Sequence, residues 1–172
     1  MLVAALFSSH WITAVIAFPL ALVHAIRWQK WYHHKIWKVT LLWPLHVSYA
    51  FMIFGMLLYG FVGLSWVSES IAIHALAAGG IGLLCSAIMA RISLGHTNRN
   101  VFEPPKMVVV IFVLLAITAV VRVVLPMIDS AHYVLWMELS QWGWIIGFTG
   151  LSVIYWPILT KRSPQKDSGI RL

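Results

Sequence analysis

The sequence predicts an all-α integral membrane protein, a bundle of about five transmembrane helices. Of its 172 residues, 61% are hydrophobic and only 10% are charged, whereas an average soluble domain has about 25% charged residues. The apolar residues are grouped in five stretches of about 20 residues or more, which is the length that a helix needs to cross a bilayer. This composition excludes a soluble globular domain, and its hydrophobicity excludes a disordered chain.

The five stretches define the predicted spans, at about residues 2–26, 39–64, 71–90, 107–126 and 133–159. Together they form one transmembrane domain, residues 1–160, which a polar tail follows at residues 161–172. Each run favours a helix over a strand, because a helix satisfies its own backbone hydrogen bonds inside a membrane.

The placement of charge predicts the orientation of these spans. Eleven of the twelve Lys and Arg residues lie in the loops at 27–38 and 91–106 or in the tail, which fall on one side of a five-span bundle. The opposite side holds Glu69 and Asp129. The positive-inside rule therefore predicts a cytoplasmic C-terminus and an outward N-terminus. The lipid bilayer is the predicted partner, and basic residues scattered among apolar runs argue against nucleic-acid binding.

Four of the eight histidines lie within the predicted spans: His10, His24, His46 and His74. Ionisable groups inside a membrane are costly and usually mark a pathway or a ligand site, although each could instead form a hydrogen bond between helices. His10 and His24 lie on one stripe of the first helix together with Ala14, Ala17 and Ala21. This stripe fits either two haem groups at different depths or a close-packing seam between helices.

His10, His74 and Arg122 are predicted to share one layer near the outer face. At about 1.5 Å per residue, each lies about 24–25 Å above the cytoplasmic end of its helix. Arg122 would suit a haem propionate or another anionic ligand, or it would extend its charged end to the membrane surface or pair locally with Asp129 or Glu138. The other candidate ligands form a looser inner layer: His24, His46 and His96.

Residues 74–100, HALAAGGIGLLCSAIMARISLGHTNRN, resemble the signature region of the NnrS family, in which a glycine-rich helix beginning with His-Ala leads into an Arg-x-Ser-Leu-Gly-His-Thr loop. Residues 41–60 and 155–169 resemble the family's preceding span and its C-terminal close. Asn98 replaces a glycine of that loop, and because Asn tolerates the left-handed conformation, we expect the turn to be kept. Family members are more than twice this size, so the chain resembles their C-terminal part, with the rest supplied by a missing N-terminal half or a second membrane chain.

The resemblance implies a haem- and copper-associated protein of the bacterial inner membrane that acts on or responds to nitric oxide, in nitrosative stress and denitrification. The implied cofactors are haem b and copper. His46, His74 and His96 fall in the matching segments and are the candidate metal ligands. For the cofactor site we predict His74 and His46, together with His10, His24 and Arg122, which the stripe and the common depth suggest.

Two functions of other classes stay open on the sequence alone. One is a haem-b electron-transfer subunit of a respiratory oxidoreductase, which would pair histidines across helices. The other is a cofactor-free membrane assembly subunit, in which the histidines only form hydrogen bonds between helices. No nucleophile, base and acid occur in an arrangement that suits catalysis, so no catalytic residue is predicted, and the sequence does not decide whether the chain is an enzyme.

Overall fold

The computed structural model describes residues 10–162, and all regular structure within them is helical. Five helices are long and apolar enough to cross a membrane, and they are the first to fifth spans: Trp11–Trp31, Trp43–Gly63, Glu69–His96, Lys106–Ile128 and Tyr133–Thr160. The predicted all-helical, five-span architecture is confirmed. The predicted orientation of the two termini stays a prediction.

Seven α-helices make up these spans: α1 (His10–Trp31), α2 (Trp43–Gly63), α3 (Glu69–His74), α4 (Leu83–His96), α5 (Lys106–Val123), α6 (Leu125–Ile128) and α7 (Tyr133–Thr160). A π-helical segment, Ala75–Gly82, joins α3 to α4 within the third span, and a short 3₁₀ helix, His34–Lys38, lies between the first two spans. The end of the bundle with the loops 32–42 and 97–105 is referred to as the basic end, and the other as the acidic end.

Prolines mark the beginnings of two spans. Pro44 lies in the first turn of α2, and Pro105 directly precedes α5, positions where the missing N–H of proline removes no helical hydrogen bond. At the other ends, the first span continues past residue 26 to Trp31 and the third past residue 90 to His96. Lys and Arg are good helix formers, so the helices continue into the basic segments that follow the apolar runs.

The spans pack in a simple order. Among the described elements, the first span packs only against the second, the second packs against the third, and the fourth and fifth form a pair against the third. One apolar cluster lies at the basic end and includes Leu41, Leu94, Val108, Phe112 and Ile158. A smaller one lies at the acidic end: Leu58, Ala72, Ala75 and Val123. Both clusters join the second, third and fourth spans, and the cluster at the basic end also includes residues of the fifth span.

The π-helical segment is in close contact with the neighbouring spans. The ring of Phe51 packs against Gly79, Met52 against Gly80, and the ring of Trp144 against Gly82. A β-carbon at any of these glycines would collide with the side chain above it. The small residues that follow His74 therefore admit side chains from the second and fifth spans, as small residues commonly do at helix interfaces in membranes.

The loop after α4 keeps the turn that the sequence predicts. Asn98 has a φ of 53°, the left-handed conformation that Asn adopts more readily than most residues. Arg99 then donates a hydrogen bond from Nη1 to the carbonyl oxygen of Ile158, at 2.9 Å. Since the last carbonyls of a helix have no partner within it, this bond fastens the loop to the end of the fifth span.

Candidate functional site

His46 lies in an aromatic enclosure near the basic end. Its imidazole stacks on Trp28, with ring centroids 4.6 Å apart and planes 19° apart, and the rings of Tyr32 and Trp37 flank it at 5.6 and 6.4 Å. Trp28 also donates its indole N–H to the backbone carbonyl of His46, at 3.0 Å. These contacts fix the ring and exclude water from it.

One ring nitrogen of His46 has no partner. The residue is only 8% exposed, and its Nε2 makes no hydrogen bond within the described part of the chain. Two cavities, of about 320 and 520 Å³, both border His46; Trp28 lines both, Phe51 and Phe54 the smaller, and Tyr49 the larger. A buried polar atom without a partner is rare and calls for an explanation, and an imidazole nitrogen beside a cavity is a common ligand for a metal.

His24 belongs to the seam between the first two spans. Its Nδ1 lies 2.6 Å from the hydroxyl of Tyr49 on the second span. The alanines of the same stripe, Ala14, Ala17 and Ala21, are all buried, and Phe18 of that helix fills the space above Gly60. Of the two roles that the sequence allowed for the stripe, the described residues form the close-packing seam.

His74 and Arg122 meet at the acidic end, as their common depth predicts. The Nη2 of Arg122 lies 2.7 Å from Nε2 of His74, and Nδ1 of His74 lies 2.6 Å from the carbonyl oxygen of Ser70. A carbonyl oxygen only accepts and a guanidinium only donates, so Nδ1 carries the proton and Nε2 accepts. His74 is therefore held as one neutral tautomer, and both of its ring nitrogens are engaged.

Arg122 completes its contacts with a soft acceptor. Its Nη1 contacts the sulfur of Met137 on the fifth span. His74 and Arg122 also line a cavity of about 550 Å³, together with Ala77, Ala78, Ser140, Gln141, Trp144 and Ile145. The cavity thus has one cationic corner, a few polar groups and otherwise apolar walls.

The carboxylates proposed as local partners of Arg122 are not bound to it. Asp129 instead accepts a hydrogen bond from Nδ1 of His132, at 2.8 Å, and this is the one contact between an acidic and a basic side chain within the described residues. Glu138 is exposed. The hydrogen bond from His132 lowers the pKa of the Asp129 carboxyl below its usual value, which keeps that carboxylate charged.

The remaining sequence candidates are not brought together. His10 begins α1, and its side chain lies outside the described residues. His96 is exposed at the end of α4, on the same continuous span as His74 but at its opposite end. Within the described residues, no three His, Cys, Asp or Glu side chains form a group that could hold a metal ion, so His46, His74 and His96 do not form a joint metal site there.

Several contributors were missed from the sequence. Trp28 and Trp37 lie in a basic segment, where tryptophans are typical of the aromatic belt at a membrane surface, whereas in the structure they enclose His46. The sequence position of Trp28 indicates that it faces the second span, because Trp28 lies one helical turn beyond His24, on the same face of the first span. No comparable signal identifies Met137, since its contact with Arg122 depends on how the fourth and fifth spans pack. The carbonyl of Ser70 lies one turn before His74 on the same helix.

A further cavity, of about 470 Å³, lies between the third and fifth spans, where Cys85, Ser86, Ser152 and Tyr155 line it. The hydroxyl of Tyr155 is buried and has no hydrogen-bond partner among the described residues. This cavity contains no charged side chain.

The comparisons with known proteins identify one family. A family model described as NnrS protein matches residues 1–162 of the chain. No curated protein and no solved structure matches it.

Proposed function

The chain belongs to the NnrS family, and from this premise we propose that it is a haem-binding protein of the bacterial inner membrane that acts in the response to nitric oxide. Its five membrane-spanning helices make it a multi-pass membrane protein. Protection against nitrosative stress is the role that we propose for it. The observation that carries the haem proposal is the buried Nε2 of His46, which has no hydrogen-bond partner among residues 10–162.

The surroundings of His46 fit a ligand of haem iron. Its Nε2 is buried, the residue borders two cavities, and stacking on Trp28 holds its ring in place. Aromatic and apolar walls suit a large planar cofactor, because ligand pockets are mostly apolar with a few placed polar groups. A single histidine suffices to hold haem iron on one side, so this proposal needs no second histidine nearby.

The protein's own residues would orient the ligand and control access to it. The indole N–H of Trp28 fixes the backbone at His46, and Trp37 and Tyr32 exclude water from the imidazole. When bound, haem supplies an iron that binds nitric oxide in its five-coordinate form or passes electrons in its six-coordinate form. Copper, the other cofactor that the family resemblance implies, stays a proposal without an assigned site.

His74 is the second candidate ligand, and a specific observation supports it. Its Nδ1 donates to the backbone carbonyl of Ser70, which is the partner that commonly fixes the tautomer of a metal-binding histidine. However, its Nε2 accepts from Arg122, so a metal at that nitrogen would require the guanidinium to move away. We therefore rank His46 before His74.

The test is an absorption spectrum with metal analysis of the purified membrane protein after it has been supplied with haem. We expect a Soret band in the wild type, in His74→Ala and in the control His132→Ala, whose histidine is exposed outside the spans. His46→Ala is expected to lose the band, because the axial ligand is gone. Added imidazole is expected to restore the band in His46→Gly if that variant folds.

Each other result has a defined meaning. Loss of the band in His74→Ala but not in His46→Ala would transfer the ligand to His74. Two histidines bound to one low-spin haem, with redox turnover, would favour the electron-transfer subunit. A colourless and metal-free wild type would support the cofactor-free assembly subunit and overturn the haem proposal.

A further inference from the structure

Arg122 is a cation within a span, and no carboxylate among the described residues pairs with it. It lies inside the fourth span, Lys106–Ile128, whereas the one contact between an acidic and a basic side chain in the described part of the chain joins Asp129 and His132. A charge in a membrane span is costly and is normally paired or faces a polar cavity. A bound anion would stabilise the charge at this position.

The contacts that Arg122 does make are with neutral groups. His74 is fixed as a neutral acceptor by its bond to Ser70, and the sulfur of Met137 is uncharged. Both contacts orient the guanidinium but leave its charge unbalanced. A guanidinium has five N–H donors in a planar fork, so His74 and Met137 engage only part of its donor capacity.

The cavity beside Arg122 has the size and the lining for a small anion. Its volume is about 550 Å³, and Gln141 and Trp144 line it together with Arg122 and His74. Ala77 and Ala78, whose side chains are small, also line it. Since planar oxyanions match the fork of an arginine with two parallel hydrogen bonds, the cavity offers a carboxylate both charge and geometry.

We propose that Arg122, His74 and Gln141 form an anion-binding site at the acidic end of the bundle that takes a carboxylate group. The carboxylate has two possible sources: a small free carboxylate, or a carboxylate carried by a larger ligand such as a haem propionate. Arg122 binds the anion, and His74 is a positioning residue that holds the guanidinium at the cavity. The proposed anion site does not depend on haem binding at His46, because none of its residues lies in the enclosure around His46.

The first arm of the test uses radiolabelled formate and the detergent-solubilised full chain without haem. Saturable binding is expected in the wild type and in the control Arg91→Gln, which removes an arginine at the basic end of the third span. Arg122→Gln is expected to abolish the binding, and Arg122→Lys to weaken it by about tenfold because Lys keeps the charge and loses the fork. If Arg122→Gln fails to fold, the Lys variant together with Gln141→Leu carries the test.

The second arm compares haem with its dimethyl ester, which has no free carboxylates. If formate does not bind, weaker binding of haem but not of the ester in Arg122→Lys supports the site with a propionate as its source. If formate does not bind and the Lys variant affects haem and ester equally, the proposal is overturned. Formate binding that Arg122→Lys and Arg91→Gln weaken equally also overturns it. Formate binding without any haem binding would leave this site standing and remove the haem proposal alone.

Discussion

His46 and His74 are the same residue type in opposite chemical surroundings. His46 is enclosed by aromatic rings at the basic end and keeps one buried nitrogen without a partner. At the acidic end, both nitrogens of His74 are engaged, one by a backbone carbonyl and one by Arg122. The capacity of a histidine to bind a metal is thus decided by what its neighbours already occupy.

The comparison also separates two ways of keeping a polar group inside a membrane. The acidic end satisfies its polar groups by hydrogen bonds and leaves one positive charge unbalanced. Around His46, the basic end offers mainly aromatic rings, and Nε2 has no hydrogen-bond partner among the described residues. An imidazole nitrogen without a partner can bind a metal and an unbalanced guanidinium attracts an anion, so the two regions call for different ligands.

The largest expected effect comes from the segment that lies between the two regions. In Gly79→Ala, the new methyl group collides with the ring of Phe51, which also lines the smaller cavity at His46. Overpacking of this kind destabilises by about 1–3 kcal/mol. We expect that loss in the free energy of unfolding, measured by SDS titration of the detergent-solubilised protein with circular dichroism.

Gly95→Ala is the matched control for this substitution. A β-carbon at Gly95 meets only a methyl group of Val101, at 3.9 Å, so the variant should be as stable as the wild type or more stable by about 0.5–1 kcal/mol. If Gly79→Ala were as stable as Gly95→Ala, the close contact between the second and third spans would not constrain the region around His46.

The next effect concerns the acidic end. His74→Phe leaves Arg122 without its ring acceptor, and hydrogen bonds of charged groups contribute about 1.5–3 kcal/mol. Arg122→Met leaves His74 without its donor, but in the double variant neither group is left unsatisfied. We therefore expect a coupling energy of about 1–3 kcal/mol between the two sites, measured by the same unfolding titration in a double-mutant cycle.

A second cycle supplies the comparison with a neutral pair. His24 and Tyr49 also join two spans by one hydrogen bond, but neither partner is a permanent cation. Their cycle, His24→Phe with Tyr49→Phe, should give a smaller coupling of about 0.5–1.5 kcal/mol. Equal couplings in the two cycles would show that the charge of Arg122 adds nothing to its bond with His74.

Sequence reasoning reached the architecture and one contact of the candidate sites. Hydropathy gave the five spans because a bilayer requires about 20 apolar residues for each helix, and a constant rise per residue brought His74 and Arg122 to one depth. The depth of a residue in the membrane does not tell which way it faces around its helix. The rise per residue therefore could not predict which faces of the helices meet. The π-helical turn after His74 adds a further rotation that a regular 100° spacing does not include.

The role of the tryptophans could not be derived for a related reason. Trp28 and Trp37 occur in a basic segment where an aromatic belt is the usual interpretation. Only the extension of α1 to Trp31 and its packing on the second span bring Trp28 over His46. Interactions that depend on the end of a helix and on one neighbour are the least accessible to pattern analysis.

A smaller effect is expected at the basic end. Trp28→Phe keeps a ring over His46 and removes the indole N–H that donates to the His46 carbonyl. The loss of one neutral hydrogen bond is expected to cost about 1 kcal/mol in the free energy of unfolding. Trp156→Phe is the control, because Trp156 is 72% exposed, and surface substitutions usually stay within about 0.5 kcal/mol. Equal stabilities of the two variants would show that the hydrogen bond from Trp28 does not help to hold His46 in place.

The smallest expected effect is a change in the pKa of Asp129. It tests whether Asp129 is close enough to Arg122 to balance its charge. The hydrogen bond from His132 lowers the pKa of the Asp129 carboxyl. This hydrogen bond therefore stabilises the folded protein at pH values above the usual pKa of the carboxyl. The stabilisation is lost as the pH falls through the lowered pKa of Asp129. In His132→Gln the pKa of Asp129 should rise toward its usual value, which a carbon-NMR titration of the labelled carboxyl measures, with Asp129→Asn to assign the signal.

The opposite shift would change the interpretation of the whole acidic end. If the pKa of Asp129 fell further in His132→Gln, the carboxylate would have formed an ion pair with a cation. Arg122, on the span that precedes Asp129, would be that cation. The guanidinium would then have a countercharge of its own within reach, and it would need no external carboxylate. A rise in the pKa instead leaves Arg122 as a cation whose balancing anion must come from outside the described residues, and this keeps the two ends of the bundle chemically distinct.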